Sequence, residues 1–254
     1  MKYYTTNALY EQIISRRIPH YKFTTGNSWQ LIYGDKNSTP LLLVYAKGVN
    51  ETEYFSDYSQ QDQKAIGLLS FVSKHSSLPL LIIRFRADLN EIKEVLVSEN
   101  SLDFKRVSLA QLSDIFKKYD LPVSNTPTDK YLNDKSSSAY HNWQRSCLGR
   151  GITVSDIDLW KVDSNGIPRV IFELKRSYYT IERWRPFPED YNNFKLVWSL
   201  CYKSNMLFKI AYNVRTKNPF FDDISRIKIF SVDFTKNPSI AEETVFSIND
   251  FMNY

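Results

Sequence analysis

The chain has 254 residues, of which 43% are hydrophobic and 24% charged, a composition typical of a globular protein with one large domain or two small ones. Its formal net charge of +5 fits a polyanionic partner without identifying one. Seven glycines and two cysteines, Cys147 and Cys201, argue against a glycine-rich phosphate loop and a disulfide framework. Because apolar runs are too short for a signal peptide or a membrane span, we expect a soluble, cytoplasmic protein with no membrane partner.

Apolar periodicity predicts a first series of elements in the first half of the chain. They are a helix at Leu9–Arg17, strands at Trp29–Tyr33 and Leu41–Tyr45, a helix at Ser59–Lys74, strands at Leu80–Phe85 and Glu94–Val97, and a helix at Leu109–Lys118. Prolines and polar residues then predict a connector at Leu121–Ser138. The connector separates a predicted α/β domain at 1–120 from a second domain at 139–254.

The second half of the chain repeats this order of elements. Its predicted elements are a helix at Ala139–Cys147, a β-run at Asp156–Val162, a strand at Arg169–Leu174, a helix at Glu189–Lys203, and strands at Leu207–Val214 and Arg226–Val232. The Asn165-Gly166 step between the first two β-runs is a strong hairpin signal. Ser28–Gly48 aligns without a gap on Asp156–Arg176, with identical residues at several positions. An internal duplication and a chance likeness of two hairpins both stay open.

Charged residues interrupt two strands that are otherwise apolar. Asp156 and Asp158 are predicted to share one face of their strand, and Glu173 and Lys175 one face of the next. Buried charges are costly unless they are paired or bound to a metal. Carboxylates from adjacent strands suit Mg²⁺, which prefers oxygen ligands. The alternative is a surface hairpin whose charges are solvated.

The pattern Asp158…Glu173-Leu174-Lys175 resembles the signature of the PD-(D/E)xK nuclease superfamily over roughly residues 139–232. The resemblance implies a restriction-endonuclease-like core, a mixed β-sheet flanked by helices in the order α-β-β-β-α-β. It also implies that Asp158, Glu173 and Lys175 are catalytic. Asp158, Glu173 and the backbone carbonyl of Leu174 would bind Mg²⁺, or Mn²⁺ in its place, and Lys175 would position the attacking water. Asp156 is the competing candidate for the first acid and for a further metal ligand.

Basic and aromatic residues near this motif are candidate DNA contacts. Arg145 lies on the preceding predicted helix. Arg183, Trp184 and Arg185 lie in the loop after the motif, where arginine and aromatic side chains suit phosphate contact and base stacking. A loop that only covers the core explains the same residues equally well. The resemblance adds Lys195, on the following helix.

The first copy of the hairpin departs from the motif. In the aligned register Gln30 replaces Asp158 and Tyr45 replaces Glu173, and only Lys47 remains. A duplicated chain could imitate a dimer, whereas cutting two strands usually requires two active copies, so a homodimer stays open. We expect a Mg²⁺-dependent endonuclease that acts on DNA. The alternatives are a non-catalytic nucleic-acid-binding protein on the same scaffold and a protein-interaction module.

Overall fold

A computed structural model of the chain describes residues 7–99, 103–128, 138–218 and 220–254. These residues form two compact units, each built on a mixed six-stranded β-sheet with flanking helices. Unit 1 comprises Thr24–Asp156, and unit 2 comprises residues 7–23 together with Ile157–Tyr254. The expected α/β class with mixed sheets is therefore confirmed. Within the described ranges, no helix has both the length and the apolar character that a membrane crossing needs.

The chain begins in unit 2 and then builds all of unit 1. Helix α1 (Ala8–Ser15) and strand β1 (Tyr21–Lys22) belong to unit 2. Unit 1 contains β2 (Ser28–Asp35), β3 (Pro40–Val49), α2 (Gln60–Ser76), β4 (Leu80–Arg86), β5 (Glu94–Ser98), β6 (Lys105–Ser108), α3 (Leu109–Lys118), α4 (Ala139–Cys147) and β7 (Ile152–Asp156). The strand order of its sheet is β6-β5-β4-β3-β2-β7, in which β3 and β4 are parallel and the other neighbours antiparallel.

The rest of the chain completes unit 2. Its further elements are β8 (Leu159–Val162), β9 (Pro168–Ser177), α5 (Tyr191–Lys203), β10 (Leu207–Thr216), β11 (Phe221–Val232), β12 (Ile240–Ser247) and α6 (Ile248–Asn253). The strand order is β1-β8-β9-β10-β11-β12, in which β9 and β10 are parallel and the other neighbours antiparallel. Every predicted helix and strand overlaps an observed one, whereas β1, β6, β12 and α6 were not predicted.

The two sheets share one topology and one register. In each unit a hairpin leads through a crossover helix to a parallel strand, and two antiparallel strands follow. Leu43 pairs with Leu80 in unit 1, and Ile171 pairs with Phe208 in unit 2. Ile171 lies as far along the chain from Leu43 as Phe208 lies from Leu80. This offset is the one by which the gap-free alignment places Ser28–Gly48 on Asp156–Arg176. This agreement supports the internal duplication.

The hairpin turns of the two units also carry the same hydrogen bonds. One carboxylate oxygen of Asp35 accepts the backbone N–H groups of the second and fourth residues after it, at 2.9 and 2.8 Å. Asp163 accepts the matching N–H groups at 2.9 and 3.0 Å. Ser38 and Gly166 both adopt a left-handed backbone, with φ of 64° and 77°. Because turn geometry fixes hairpin register, the strands that follow carry their side chains at matching positions.

The first helix and strand of each series join the sheet of the other series. Strand β1 precedes β2 in the chain but pairs with β8, and Ile13 of α1 is buried in one cluster with Phe172. Conversely, β7 precedes β8 but pairs with β2, and Tyr140 of α4 stacks on Phe85. The two series have therefore exchanged their opening helix and strand.

This exchange makes the units differ from the predicted division at 1–120, 121–138 and 139–254. The compact units instead divide between residues 23 and 24 and between residues 156 and 157. Residues 129–137 of the predicted connector lie outside the described residues, and its described residues, 121–128 and Ser138, contain no helix or strand. Composition marks where periodicity ends, but long-range strand pairing decides which unit a segment joins.

We predict that a core substitution in α1 destabilises unit 2 and that a core substitution in α4 destabilises unit 1. Ile13→Ala should lower the free energy of unfolding by about 2–5 kcal/mol, because it leaves a cavity in the core of unit 2. Hydrogen exchange should then accelerate in β8–β11 before it accelerates in β2–β4. Tyr140→Ala should produce the opposite order. The opposite result in either variant, with hydrogen exchange accelerating first in the sheet whose strands follow the mutated helix in the chain, would contradict the assignment of α1 to unit 2 and α4 to unit 1.

Candidate functional site

The acids Asp156 and Asp158 do not share a strand, so this part of the prediction is wrong. Asp156 is the last residue of β7 and pairs with Leu31 in unit 1. Asp158 directly precedes β8 in unit 2. The chain leaves one sheet and enters the other between them, so alternation along a single strand does not relate their side chains. The site in unit 2 is therefore built from Asp158.

Strand β9 brings the motif residues beside Asp158. Leu159, the first residue of β8, pairs with Phe172 of β9, so Asp158 directly precedes the paired residues at the level of Glu173. One carboxylate oxygen of Asp158 accepts the backbone N–H of Leu174 at 2.8 Å. The N–H and C=O groups of one strand residue point to the same side. The carbonyl group of Leu174 therefore points to the side of β9 on which Asp158 lies.

Lys175 lies between two carboxylates. Its Nζ is 3.0 Å from Oε1 of Glu173 and 3.2 Å from Oδ2 of Asp190. Burial acts to lower the pKa of the Lys175 ammonium group, but the charges of Glu173, Asp190 and Asp158 outweigh this effect and raise the pKa above its ordinary value. Lys175 is therefore a cation at neutral pH. It joins the motif strand to the start of α5.

Asp190, the N-terminal cap residue of α5, was not predicted as a site residue from the sequence. A signal for it was present, because the gap-free alignment, continued past the hairpin, places Asp62 opposite Asp190. In unit 1, Nζ of Lys47 is 2.9 Å from Oδ1 of Asp62. Both units therefore contain the same lysine–aspartate pair between the central strand and the crossover helix.

The acid positions of unit 2 are neutral in unit 1. Gln30 and Tyr45 occupy the positions that match Asp158 and Glu173, and both are buried. The hydroxyl of Tyr45 donates a hydrogen bond to the carboxylate of Asp62, which Lys47 also contacts. Tyrosine thus makes a structural hydrogen bond at the position where unit 2 has a carboxylate.

A cavity of about 240 Å³ opens beside Asp158. It is lined by Asn7, Tyr10, Asp158, Leu174, Lys175, Arg176 and Arg215. Neither Arg176 nor Arg215 was predicted as a site residue from the sequence. Asp222, which is buried, holds Nη1 of Arg176 at 2.8 Å and Nε of Arg215 at 2.7 Å. Guanidinium groups fixed in this way suit a phosphate, because little side-chain freedom is lost when they bind it.

Two of the predicted DNA contacts have other roles. Trp184 is only 2% exposed, and its ring stacks on that of Tyr212 with 4.1 Å between centroids. Its ring is therefore part of the core and is not available for base stacking. Arg185 donates to the backbone carbonyls of Glu182 and Trp184, and its guanidinium group is 3.0 Å from the carboxylate of Glu242.

The remaining predicted DNA contacts are distributed over the two units. Arg183 and Lys195 are exposed in unit 2, on the loop after β9 and on α5. Arg145 is half-buried on α4 of unit 1. Sequence proximity to the motif selected Arg145, but the exchange of segments assigns its helix to the other sheet.

The donor set in unit 2 fits Mg²⁺. Within residues 7–99, 103–128, 138–218 and 220–254, no group of three or more His, Cys, Asp or Glu side chains is gathered as a metal cluster. Asp158 and Glu173 supply two carboxylates, and the carbonyl of Leu174 faces the same edge. Mg²⁺ commonly binds through one or two carboxylates and completes its shell with water and substrate phosphate. A closed all-protein cage is therefore not required.

Comparisons with known proteins give little guidance. No protein-family model matches the sequence, and no curated protein matches it. The crystal structure of a sex pheromone precursor from Lactobacillus salivarius subsp. salivarius UCC118 is 9% identical, with a TM-score of 0.16. The similarity covers 80% of this chain and 61% of that one. A likeness this weak carries no argument about fold or function.

We predict a pH-dependent contribution of Asp62 to stability. Burial acts to raise the pKa of the Asp62 carboxyl, but hydrogen bonds from Tyr45, Lys47 and Ser59 outweigh it, so the pKa lies below its usual value of 3.8. The stabilisation is therefore present above about pH 4 and is lost as the pH falls through the folded-state pKa. Asp62→Asn should lower the free energy of unfolding by about 1.5–3 kcal/mol at pH 7.

Urea unfolding from pH 7 to pH 2 checks this prediction. The difference between wild type and Asp62→Asn should shrink in acid, because the wild-type carboxyl becomes neutral there. Asp57→Asn, at an exposed position of the same unit, is the control and should match wild type. A difference that stays constant with pH would contradict the proposed origin of the stabilisation.

Proposed function

We propose that unit 2 is a Mg²⁺-dependent endonuclease that hydrolyses phosphodiester bonds in DNA, as the PD-(D/E)xK enzymes do. The observation that carries this proposal is the group of Asp158, Glu173 and Lys175 where β8 begins, beside a cavity that also holds Arg176 and Arg215. The element order α1-β1-β8-β9-α5-β10 supports it, since the resemblance implies α-β-β-β-α-β.

Asp158, Glu173 and the carbonyl of Leu174 are the groups that would hold the metal. When bound, Mg²⁺ supplies Lewis-acid stabilisation of the charge that develops on the phosphoryl oxygens. Asp158 is held in place by the N–H of Leu174, so its carboxylate is oriented before a ligand arrives. Preorganised groups of this kind avoid reorganisation during the reaction.

The cationic side chains position the phosphate and the attacking water. Lys175, as an ammonium group, donates hydrogen bonds to the water or to a phosphoryl oxygen. Its contact with Asp190 holds the ammonium group in position. Arg176 and Arg215 orient the phosphate, because Asp222 fixes both guanidinium groups at the cavity. These residues bind the charge that is common to all phosphodiester substrates.

A non-catalytic nucleic-acid-binding protein is the second candidate. One observation favours it, namely the contact between Lys175 and Glu173, which already occupies one carboxylate oxygen of Glu173. The same cavity and arginines would then bind DNA without cutting it. For either candidate we propose the cytoplasm as the compartment, where free thiols such as Cys147 and Cys201 stay reduced.

We predict that plasmid cleavage depends on Mg²⁺ and on the three motif residues. Asp158→Asn, Glu173→Gln and Lys175→Ala should each reduce the cleavage rate by at least about 100-fold, because each removes a group that stabilises the transition state. EDTA should abolish cleavage. Mn²⁺ binding, followed by electron paramagnetic resonance, should weaken in Asp158→Asn and Glu173→Gln.

Lys47→Ala is the matched control, because Lys47 makes the same aspartate contact in unit 1 without the two acids. Its cleavage rate should equal that of wild type. Absence of cleavage on duplex, single-stranded and branched DNA, with DNA binding retained, would favour the second candidate. Equal cleavage by Lys175→Ala and wild type would rule out the proposed active site.

A further inference from the structure

Four exposed aromatic side chains lie near one end of the central strands of unit 2. Tyr178 and Tyr179 directly follow β9, and Phe220 and Phe221 lie where the chain turns from β10 into β11. Their exposed fractions are 52, 54, 65 and 55%. Because β9 and β10 are parallel, these two loops leave the same edge of the sheet. We call these four residues the aromatic patch.

Basic side chains contact the aromatic patch and connect it to the cavity. Nζ of Lys217 lies 4.6 Å from the ring centroid of Tyr178, and the guanidinium carbon of Arg215 lies 4.8 Å from that of Phe220. Arg215 also lines the cavity beside Asp158 and Lys175. A phosphate in the cavity and a base on the patch would therefore contact neighbouring groups of the protein.

The backbone of the patch is anchored to the core. The hydroxyl of Tyr212 donates to the carbonyl of Tyr179 at 2.6 Å, and the ring of Tyr212 stacks on buried Trp184. The ring of Tyr179 also packs edge-on against Phe187, at 6.1 Å between centroids. Exposed rings on a fixed backbone lose less conformational freedom on binding than rings on a loose loop.

This combination of groups fits an unpaired nucleic-acid strand. Phosphate binding alone requires cations and gains nothing from exposed rings. The base faces of a duplex are covered by their neighbours, whereas unpaired bases stack on aromatic side chains, and basic groups nearby follow the backbone. We infer that the aromatic patch binds single-stranded DNA that continues from the phosphate in the cavity. DNA as the partner rests on the proposed function.

A protein partner is less consistent with the surroundings of the patch. Tyrosine and arginine are also enriched in protein interfaces. However, Lys217 and Arg215 contact the rings themselves, and the chain is positively charged overall. Charge complementarity therefore favours a polyanion.

The test measures binding without metal. Fluorescence anisotropy in EDTA would compare a labelled oligothymidylate of about 16 nucleotides, the upper site size of such platforms, with a duplex of equal length. Wild type should bind the single strand more tightly than the duplex. Tyr178→Ala and Phe220→Ala should each weaken single-strand binding by about 5- to 100-fold and leave duplex binding unchanged. Tyr178→Trp should restore binding, because the indole ring also stacks.

Phe55→Ala is the matched control, because Phe55 is 70% exposed in unit 1, with the guanidinium group of Arg106 5.6 Å from its ring centroid. Its single-strand affinity should equal that of wild type. Equal affinity of the Tyr178→Ala/Phe220→Ala double variant and wild type would overturn the inference. A preference for the duplex, tighter binding of oligouridylate, or no binding to any oligonucleotide would also overturn it.

The same variants separate this inference from the proposed nuclease activity. If patch-dependent binding persists and no DNA is cut, the nuclease proposal fails and the patch stands. If Mg²⁺-dependent cleavage requires Lys175 but Tyr178→Ala and Phe220→Ala cut single-stranded DNA as fast as wild type, the patch fails and the nuclease stands.

Discussion

A lysine on the central strand, paired with an aspartate at the start of the crossover helix, is the interaction that both units depend on. It joins Lys175 to Asp190 in unit 2 and Lys47 to Asp62 in unit 1. An ammonium group on a largely buried strand lowers stability unless a carboxylate neutralises it. The pair also fixes the helix to the strand that precedes it. Lys47 therefore has a structural reason to be present, and a lysine at this position is not by itself a sign of catalysis.

Unit 1 serves as an internal control for the acids of unit 2. The same topology, turn and lysine–aspartate pair are present there with Gln30 and Tyr45 in place of Asp158 and Glu173. The fold therefore does not require carboxylates at these two positions. Two adjacent buried or half-buried carboxylates repel each other and are unfavourable for stability unless a cation compensates them. In unit 2 Lys175 supplies such a cation, since its ammonium group contacts Glu173. The comparison therefore shows that the fold tolerates neutral residues at these positions, and the proposed function rests on the arrangement of the acids beside the cavity.

The sequence could reveal the parts of the site that are local and not the parts that depend on distant pairing. Asp158, Glu173 and Lys175 stand on one hairpin, so alternation and turn residues are enough to bring them together. Asp190 was recoverable only through the internal repeat. Arg215 was not recoverable, because it reaches the cavity through the parallel pairing of β9 with β10. The exchange of α1 and β1 with α4 and β7 was hidden for the same reason, since both segments have equivalent local patterns and differ only in the strand they pair with.

The described residues contain one hairpin with the full set of Asp158, Glu173 and Lys175, in unit 2. The matching hairpin in unit 1 lacks the two acids. Under the proposed function, one such set would act on one phosphodiester bond at a time, and cutting a duplex through both strands would require a second chain or a second encounter. An enzyme for a single strand has no such requirement. The aromatic patch beside Arg215 points to the same kind of substrate, because exposed rings are useful to a strand whose bases are unpaired. Under the proposed function, the single set of acids in the described residues and the exposed rings of unit 2 both favour a substrate with one strand.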